Sequence, residues 1–240
     1  MPTPTWTSAY ALAARRRRRR DDLDQCPATL ATVRRRLALL GRRDRDILLL
    51  GDDDLLGLAL AWTEGRSRIT IIDADAALLD VIERYAPKGR VELVAHDLGQ
   101  AFPRPLRGQF DDVFADPPYT VSGQLVFAHR AALALKRTHH GQMGPTLFLC
   151  AARLYLGAAG RRRVARFLGR AGFVTGRVHP DFNRYAAPPD VARDLRRLGG
   201  GGRWLSSDLS HYVRQRSAPV PRLPAGALWR MYDYASHPQS

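Results

Sequence analysis

The sequence predicts an α/β domain, a mostly parallel sheet with helices packed on both of its faces. Three observations carry this expectation. Short β-prone runs recur along the chain: Ile47-Leu48-Leu49-Leu50, Ile69-Thr70-Ile71-Ile72, Val91-Glu92-Leu93-Val94, Val113-Phe114-Ala115 and Thr146-Leu147-Phe148-Leu149. The segments between them read as helices or long loops, which is the alternation of strand and crossover that a parallel sheet requires. Each of the first four runs leads directly into acidic residues, at the strand ends where doubly wound sheets bind their ligands.

Taken in order, residues 1–22 lack periodicity and contain the run Arg15 to Arg20, so a disordered basic arm is expected there, with residues 23–240 forming the domain. From Ala28 to Leu40 the apolar Leu30, Val33, Leu37 and Leu40 recur at helical spacing, and Gly41 supplies a stop. Further helices are expected at Leu55 to Trp62, Ala76 to Tyr85, Gly123 to Leu135 and Arg161 to Ala171, the last ended by Gly172. A sixth strand is expected at Phe173 to Val178. Beyond Pro180, Pro188-Pro189 and the glycine run from Gly199 to Gly202 interrupt regular structure, the glycines reading as a flexible loop. Trp204 to Val213 and Leu228 to Tyr234 are expected as antiparallel edge strands closing the sheet.

With 240 residues and 45% hydrophobic content, the chain is large enough to bury one sizeable core. A formal net charge of +15 points toward anionic partners. Of the 38 basic residues, however, only Lys88 and Lys136 are lysines, a bias that GC-rich coding produces without any partner. Nucleic acid is therefore kept as a partner that is not favoured. Cys26 and Cys150 are too few for a disulfide framework or a cysteine metal site, and a reducing cytoplasm is the expected compartment. Asp21, Asp22 and Asp24 stand where a secretory apolar region would begin, and the best apolar stretch, Leu147 to Ala159, is broken by Arg153. Export and membrane insertion are not expected.

The chemistry is expected at the strand ends. The first strand runs into Gly51-Asp52-Asp53-Asp54, the second into Asp73-Ala74-Asp75, the third into His96-Asp97-Leu98 and the fourth into Asp116-Pro117-Pro118-Tyr119. Asp73, just past the second strand, is where nucleoside-binding folds place a carboxylate for ribose hydroxyls, whereas Asp75 reads as a helix cap. Asp97 is the candidate for the adenine amino group. In the first loop, Asp53 and Leu55 occupy positions that a phosphate-binding fingerprint gives to glycine, and the acidic cluster would repel a pyrophosphate. Three consecutive carboxylates facing one crevice call for a cationic ligand: an ammonium, a sulfonium or a magnesium ion. In Asp116-Pro117-Pro118-Tyr119, two prolines stiffen the turn and remove two amide donors, leaving carbonyls and the carboxylate to accept hydrogen bonds from an amine.

Together these motifs resemble the branched-chain polyamine synthases, the N(4)-bis(aminopropyl)spermidine synthases, and the class I methyltransferase type of Rossmann-like fold that contains them. Asp24-Gln25 with Thr32-Val33-Arg34-Arg35, and Phe182-Asn183-Arg184-Tyr185, resemble further elements of that family. The resemblance spans Asp24 to Tyr234. It implies an aminopropyltransferase that uses decarboxylated S-adenosylmethionine, with Asp52, Asp53, Asp54 and Asp116 as catalytic and amine-binding carboxylates; no metal ligands are assigned. Family members carry an N-terminal winged-helix domain, and too little sequence precedes Asp24 here to form one. The acceptor is accordingly open between a polyamine and another small-molecule or peptide amine.

The expected reaction is in-line displacement, in which an acceptor amine attacks the carbon beside the sulfonium and releases methylthioadenosine. Asp53 or Asp54 is assigned to proton removal, Asp116 to alignment of the nitrogen, and Gly51, Asp52, Asp73 and Asp97 to the donor. Pro117, Pro118, Tyr119, Phe182 and Tyr185 are assigned to the substrate pocket. The decarboxylated donor suits an acidic loop because ordinary S-adenosylmethionine carries a carboxylate. The alternative is an S-adenosylmethionine-dependent methyltransferase acting on an exocyclic amine of DNA or RNA, with Tyr119 stacking on a flipped base. A homodimer is left open.

Overall fold

A computed structural model describes residues 5–23, 25–41, 44–63, 65, 67–138, 144–199 and 201–233. Seven strands form its sheet: β1 (Ile47–Leu50), β2 (Ile69–Asp73), β3 (Val91–Ala95), β4 (Asp112–Ala115), β5 (Thr146–Ala151), β6 (Phe173–Ala186) and β7 (Trp204–Arg214). Their order is β3-β2-β1-β4-β5-β7-β6. Strands β1 to β5 pair in parallel, whereas β7 runs antiparallel to both β5 and β6. The chain turns back on itself between β1 and β4, so the crevice beyond their carboxyl ends is the switch point where such sheets bind ligands.

Among the described residues, seven helices cover the sheet: α1 (Trp6–Arg16), α2 (Leu30–Leu40), α3 (Leu56–Ala61), α4 (Ala76–Tyr85), α5 (Val121–Ala134), α6 (Arg153–Arg170) and α7 (Pro189–Arg197). Successive side chains of a strand point to opposite faces, and β1 divides accordingly. Leu48 and Leu50 join the core under α5 and α6, while Ile47 and Leu49 join the core under α2, α3 and α4. All four are fully buried, each removal from water contributing about 1.5–3 kcal/mol. The caps follow local chemistry: Thr29, Asp75 and Thr120 accept hydrogen bonds from the amides of Thr32, Leu78 and Gly123. Leu55, at a fingerprint glycine position, has φ +58°, the left-handed conformation that glycine adopts freely.

Four expectations are corrected. Within the stretch expected to be a disordered arm, residues 6–16 form α1, capped by Thr5 and Ser8. Trp6, Ala9, Tyr10 and Ala13 fall at i, i+3, i+4 and i+7 and give the helix an apolar stripe, with Ala9 and Ala13 buried as it packs on α3 and α4. The sixth strand continues past Val178 to Ala186, because Pro180 and Asp181 lie within irregularities of the β6–β7 ladder, where a missing amide costs little. Pro188-Pro189 opens α7 rather than ending structure, since proline at a first helical position loses no intrahelical bond. Residues 225–232 form turns instead of a strand. Asp24, Gly200 and Tyr234 lie outside the described residues, and among those described no helix is long and apolar enough to cross a membrane.

Candidate functional site

Two cavities meet at the switch point. A larger one, about 210 Å³, is lined by Asp53, Asp116, Pro117, Tyr119 and Tyr185, joined by Arg19, Tyr155, Asp190 and Asp194. A smaller one, about 70 Å³, is lined by Gly51, Asp53, Asp73, His96, Asp97, Asp116 and Pro118. Asp53 and Asp116 belong to both, as does Tyr232.

The loop after β1 does not present three carboxylates to the crevice. Asp52 turns inward and is 3% exposed, with its Oδ2 accepting the Gly57 amide at 2.9 Å. Burial pushes its carboxyl well above the usual range, the neighbouring Asp54 and Asp73 adding to the effect. Asp54 is also 3% exposed and is engaged by the Ala28 amide and the Arg36 guanidinium. Asp53 alone lines the cavities, its side chain 23% exposed and 3.4 Å from Arg17. Burial first and the Asp54 charge second push the Asp53 carboxyl well up, against the opposing pull of Arg17. Among the described residues, no group of three or more His, Cys, Asp or Glu side chains is arranged to hold a metal ion.

Arg36 organises the floor. Only 1% exposed, it reaches from α2 to Asp54, to Asp116 Oδ2 at 2.7 Å, to the Tyr185 hydroxyl at 2.9 Å and to Asn183 Oδ1 at 2.8 Å. Its guanidinium also stacks on the Phe114 ring at 4.8 Å. Asp116 takes a second donor at Oδ2, the Tyr185 hydroxyl at 2.6 Å, while its Oδ1 accepts the Tyr119 hydroxyl at 2.8 Å. Burial holds both phenols well above their usual pKa, Asp116 reinforcing it, so they remain donors. The carboxylate beyond β4 is thus fixed in orientation by three protein donors, a property suited to positioning a ligand.

At the smaller cavity, Asp73 Oδ2 accepts the Asp52 amide at 2.9 Å and Oδ1 accepts the Asp75 amide at 2.8 Å. Burial raises the Asp73 carboxyl and these amides oppose the rise. Asp73 lines the smaller cavity together with Asp97. Asp75 caps α4, as its position predicts, and also accepts the Gln25 amide at 3.2 Å. Phe182 is the candidate that falls elsewhere: it lies on the outer side of β6 in a groove with Arg35, His179 and Trp204, because strand alternation turns Asn183 and Tyr185 inward and Phe182 away. The sequence does not single out Arg36, Arg19, Asp190, Asp194 or Tyr155. For Arg36 a signal exists, since it shares the buried helical stripe of Val33 and Leu40.

This strand order, with acids closing β1, β2 and β3 and a rigid Asp-Pro-Pro-Tyr turn closing β4, defines a Rossmann-like domain of the class I methyltransferase type. The chain belongs to the family of the branched-chain polyamine synthase A C-terminal domain, whose pattern matches residues 7–196. An uncharacterized protein of Methanocaldococcus jannaschii is 32% identical over 181 residues, 71% of this chain and 43% of that one. The N(4)-bis(aminopropyl)spermidine synthase of Thermus thermophilus is 35% identical over 121 residues, 48% of this chain and 35% of that one. The chain thus spans less than half the length of the curated relatives it matches. The crystal structure of the branched-chain polyamine synthase from Thermus thermophilus, in complex with N4-aminopropylspermidine and 5'-methylthioadenosine, superposes with a TM-score of 0.75 at 25% identity, covering 92% of this chain and 68% of that one. A putative RNA methyltransferase from Pyrococcus horikoshii shares the fold, with a TM-score of 0.61 at 14% identity, over 87% of this chain and 98% of that one.

Proposed function

We propose that the chain is an aminopropyltransferase that uses decarboxylated S-adenosylmethionine to alkylate an amine, a polyamine or related small molecule, with release of methylthioadenosine. The observation that carries this reading is the shared wall: Asp53 and Asp116 line both the nucleoside-side cavity and the larger cavity. A donor arm and an acceptor nitrogen therefore meet between two carboxylates. Family membership and the methylthioadenosine named with the Thermus structure support the same reading.

Asp73 and Asp97 would hold the adenosine portion, and Asp116 would align the acceptor nitrogen. An amine with its usual pKa near 10 arrives protonated and gives that proton to Asp53. Its freed lone pair then forms the C–N bond as the C–S electron pair returns to sulfur, leaving a neutral thioether. Asp53 suits the task because its carboxyl is raised while Asp54 is tied to Arg36. The methyl-transfer alternative would require a base to stack on Tyr119, whose residue is 6% exposed and whose hydroxyl donates to Asp116.

Calorimetry of decarboxylated and intact S-adenosylmethionine, with methylthioadenosine as control, tests the donor. Product analysis over a panel of amines tests the acceptor. Tighter binding of the decarboxylated donor and an alkylated amine product are expected. Preference for the intact donor with a methylated product overturns the proposal.

A further inference from the structure

The acceptor-side cavity contains a cation of its own. Among the described residues, the carboxylates of Asp53, Asp116, Asp190 and Asp194 line it together with one basic side chain, Arg19. Arg19 comes from the segment between α1 and the short 3-10 helix at Asp21–Leu23. Its Nη2 donates to Asp190 Oδ2 at 3.0 Å and its Nε to the Gln25 carbonyl at 2.7 Å. With a side chain 24% exposed and tethered at both ends of the guanidinium, it is held in place. Asp190 and Asp194 lie four residues apart on α7, one turn along the same face.

We propose that Arg19 is a specificity-determining residue of this cavity: its guanidinium competes with an outer ammonium of the acceptor for Asp190. The inference rests on the amine-acceptor reading above. An amine short enough to engage only Asp53 and Asp116 leaves the Arg19–Asp190 pair standing. A longer amine brings further ammonium groups toward α7, where they meet a like charge already seated on the carboxylate. Arg19 thereby biases the cavity against acceptors of high charge. Asp190 is 56% exposed in its side chain, so solvent screens the pair and the bias amounts to roughly two- to fivefold in affinity.

The test is titration calorimetry of propane-1,3-diamine, spermidine and spermine into the protein saturated with methylthioadenosine. In Arg19→Gln, spermine is expected to bind roughly two- to fivefold more tightly, spermidine by less, and the diamine with unchanged affinity. Arg19→Lys keeps the wild-type pattern because it keeps the competing charge. Asp190→Asn removes the carboxylate that Arg19 engages and is expected to weaken spermine, and Arg19→Gln in that background is expected to relieve the weakening. Unchanged or weaker spermine binding in Arg19→Gln overturns the inference, as does unchanged spermine binding in Asp190→Asn. If the wild-type protein takes up none of the three amines, the acceptor reading itself fails and this inference with it.

Discussion

Replacing Arg36 with Met keeps an unbranched side chain of similar reach and removes the charge that ties α2 to the loops after β1 and β4. The wild-type guanidinium serves Asp54, Asp116, Tyr185 and Asn183 at once, and it is 1% exposed. Asp54 would keep the Ala28 amide but lose its cation while staying buried. Breaking a buried pair in this way costs about 3–5 kcal/mol, a large share of the roughly 5–15 kcal/mol that holds a domain folded. The loss carries a pH signature. Burial raises the Asp54 carboxyl and Arg36 opposes the rise, so without Arg36 the folded pKa climbs further above its unfolded value near 3.9. A carboxyl raised on folding lends stability below the unfolded pKa and loses it as the pH climbs through the folded value. The destabilisation of Arg36→Met is therefore expected to be about 3–5 kcal/mol at pH 8 and smaller by about 1 kcal/mol or more at pH 5. Adding Asp54→Asn should return part of the loss at pH 8. Urea unfolding of the single and double variants at both pH values reads all three quantities. A loss below about 1 kcal/mol at pH 8, or an equal loss at both pH values, refutes the account of Arg36 as the counter-ion of this floor.

Three further outcomes follow from the same geometry. Asp53→Asn is expected to lower turnover by about 100-fold or more while methylthioadenosine still binds, and to stabilise the fold at neutral pH by about 1 kcal/mol because a carboxyl raised by burial is removed; unchanged turnover would exclude Asp53 as the base. Tyr185→Phe removes a hydroxyl that donates to Asp116 at 2.6 Å, so the acceptor KM should rise and stability fall by about 1–2 kcal/mol in thermal unfolding, with donor affinity retained. In Gly57→Ala, a Cβ would lie 2.9 Å from both Asp52 Oδ2 and Ile71 Cγ1, which predicts a loss of about 1–3 kcal/mol in urea unfolding; a neutral result would mean that the Asp52 seat is not tightly packed.

The central sheet is legible in the sequence because its signal is local. Strands buried on both faces write themselves as apolar runs, and the residues after them occupy fixed places at the switch point, so the amino-acid order alone locates Asp73, Asp97 and the Asp116 turn. What escapes is written in a different period or masked by charge. Trp6, Ala9, Tyr10 and Ala13 form a helical stripe that the adjoining arginine run obscures. Arg36 stands third in Arg34-Arg35-Arg36, and only its place on the stripe with Val33 and Leu40 separates it from two neighbours on the open side of the helix. Phe182 and Tyr185 cannot share one pocket, because they stand three positions apart on the strand, an odd step that points them to opposite faces. The α7 carboxylates cannot be placed from sequence, because their approach to Asp53 depends on the long β6–β7 ribbon and not on any neighbouring residue.

Burial of Asp52 and Asp54 changes the electrostatic basis of donor choice. A cluster of three exposed carboxylates would reject the carboxylate of intact S-adenosylmethionine strongly, but of the three only Asp53 lines the junction of the two cavities, beside Asp116, and Arg17 stands 3.4 Å from it. A like-charge pair at about 4 Å in an effective dielectric of 20 costs roughly 4 kcal/mol. The nearby guanidinium and the 23% exposure of Asp53 reduce that figure to about 1–2 kcal/mol, so that under the proposed reaction a preference of about 5- to 30-fold for the decarboxylated donor is expected. Asp53→Asn is then expected to bring the two affinities within about threefold of each other, chiefly by tightening the intact donor. Calorimetry on the variant decides the matter. A preference that survives intact in Asp53→Asn means that shape, or another charge at the nucleoside side, selects the donor, and the base and the selector are then different groups.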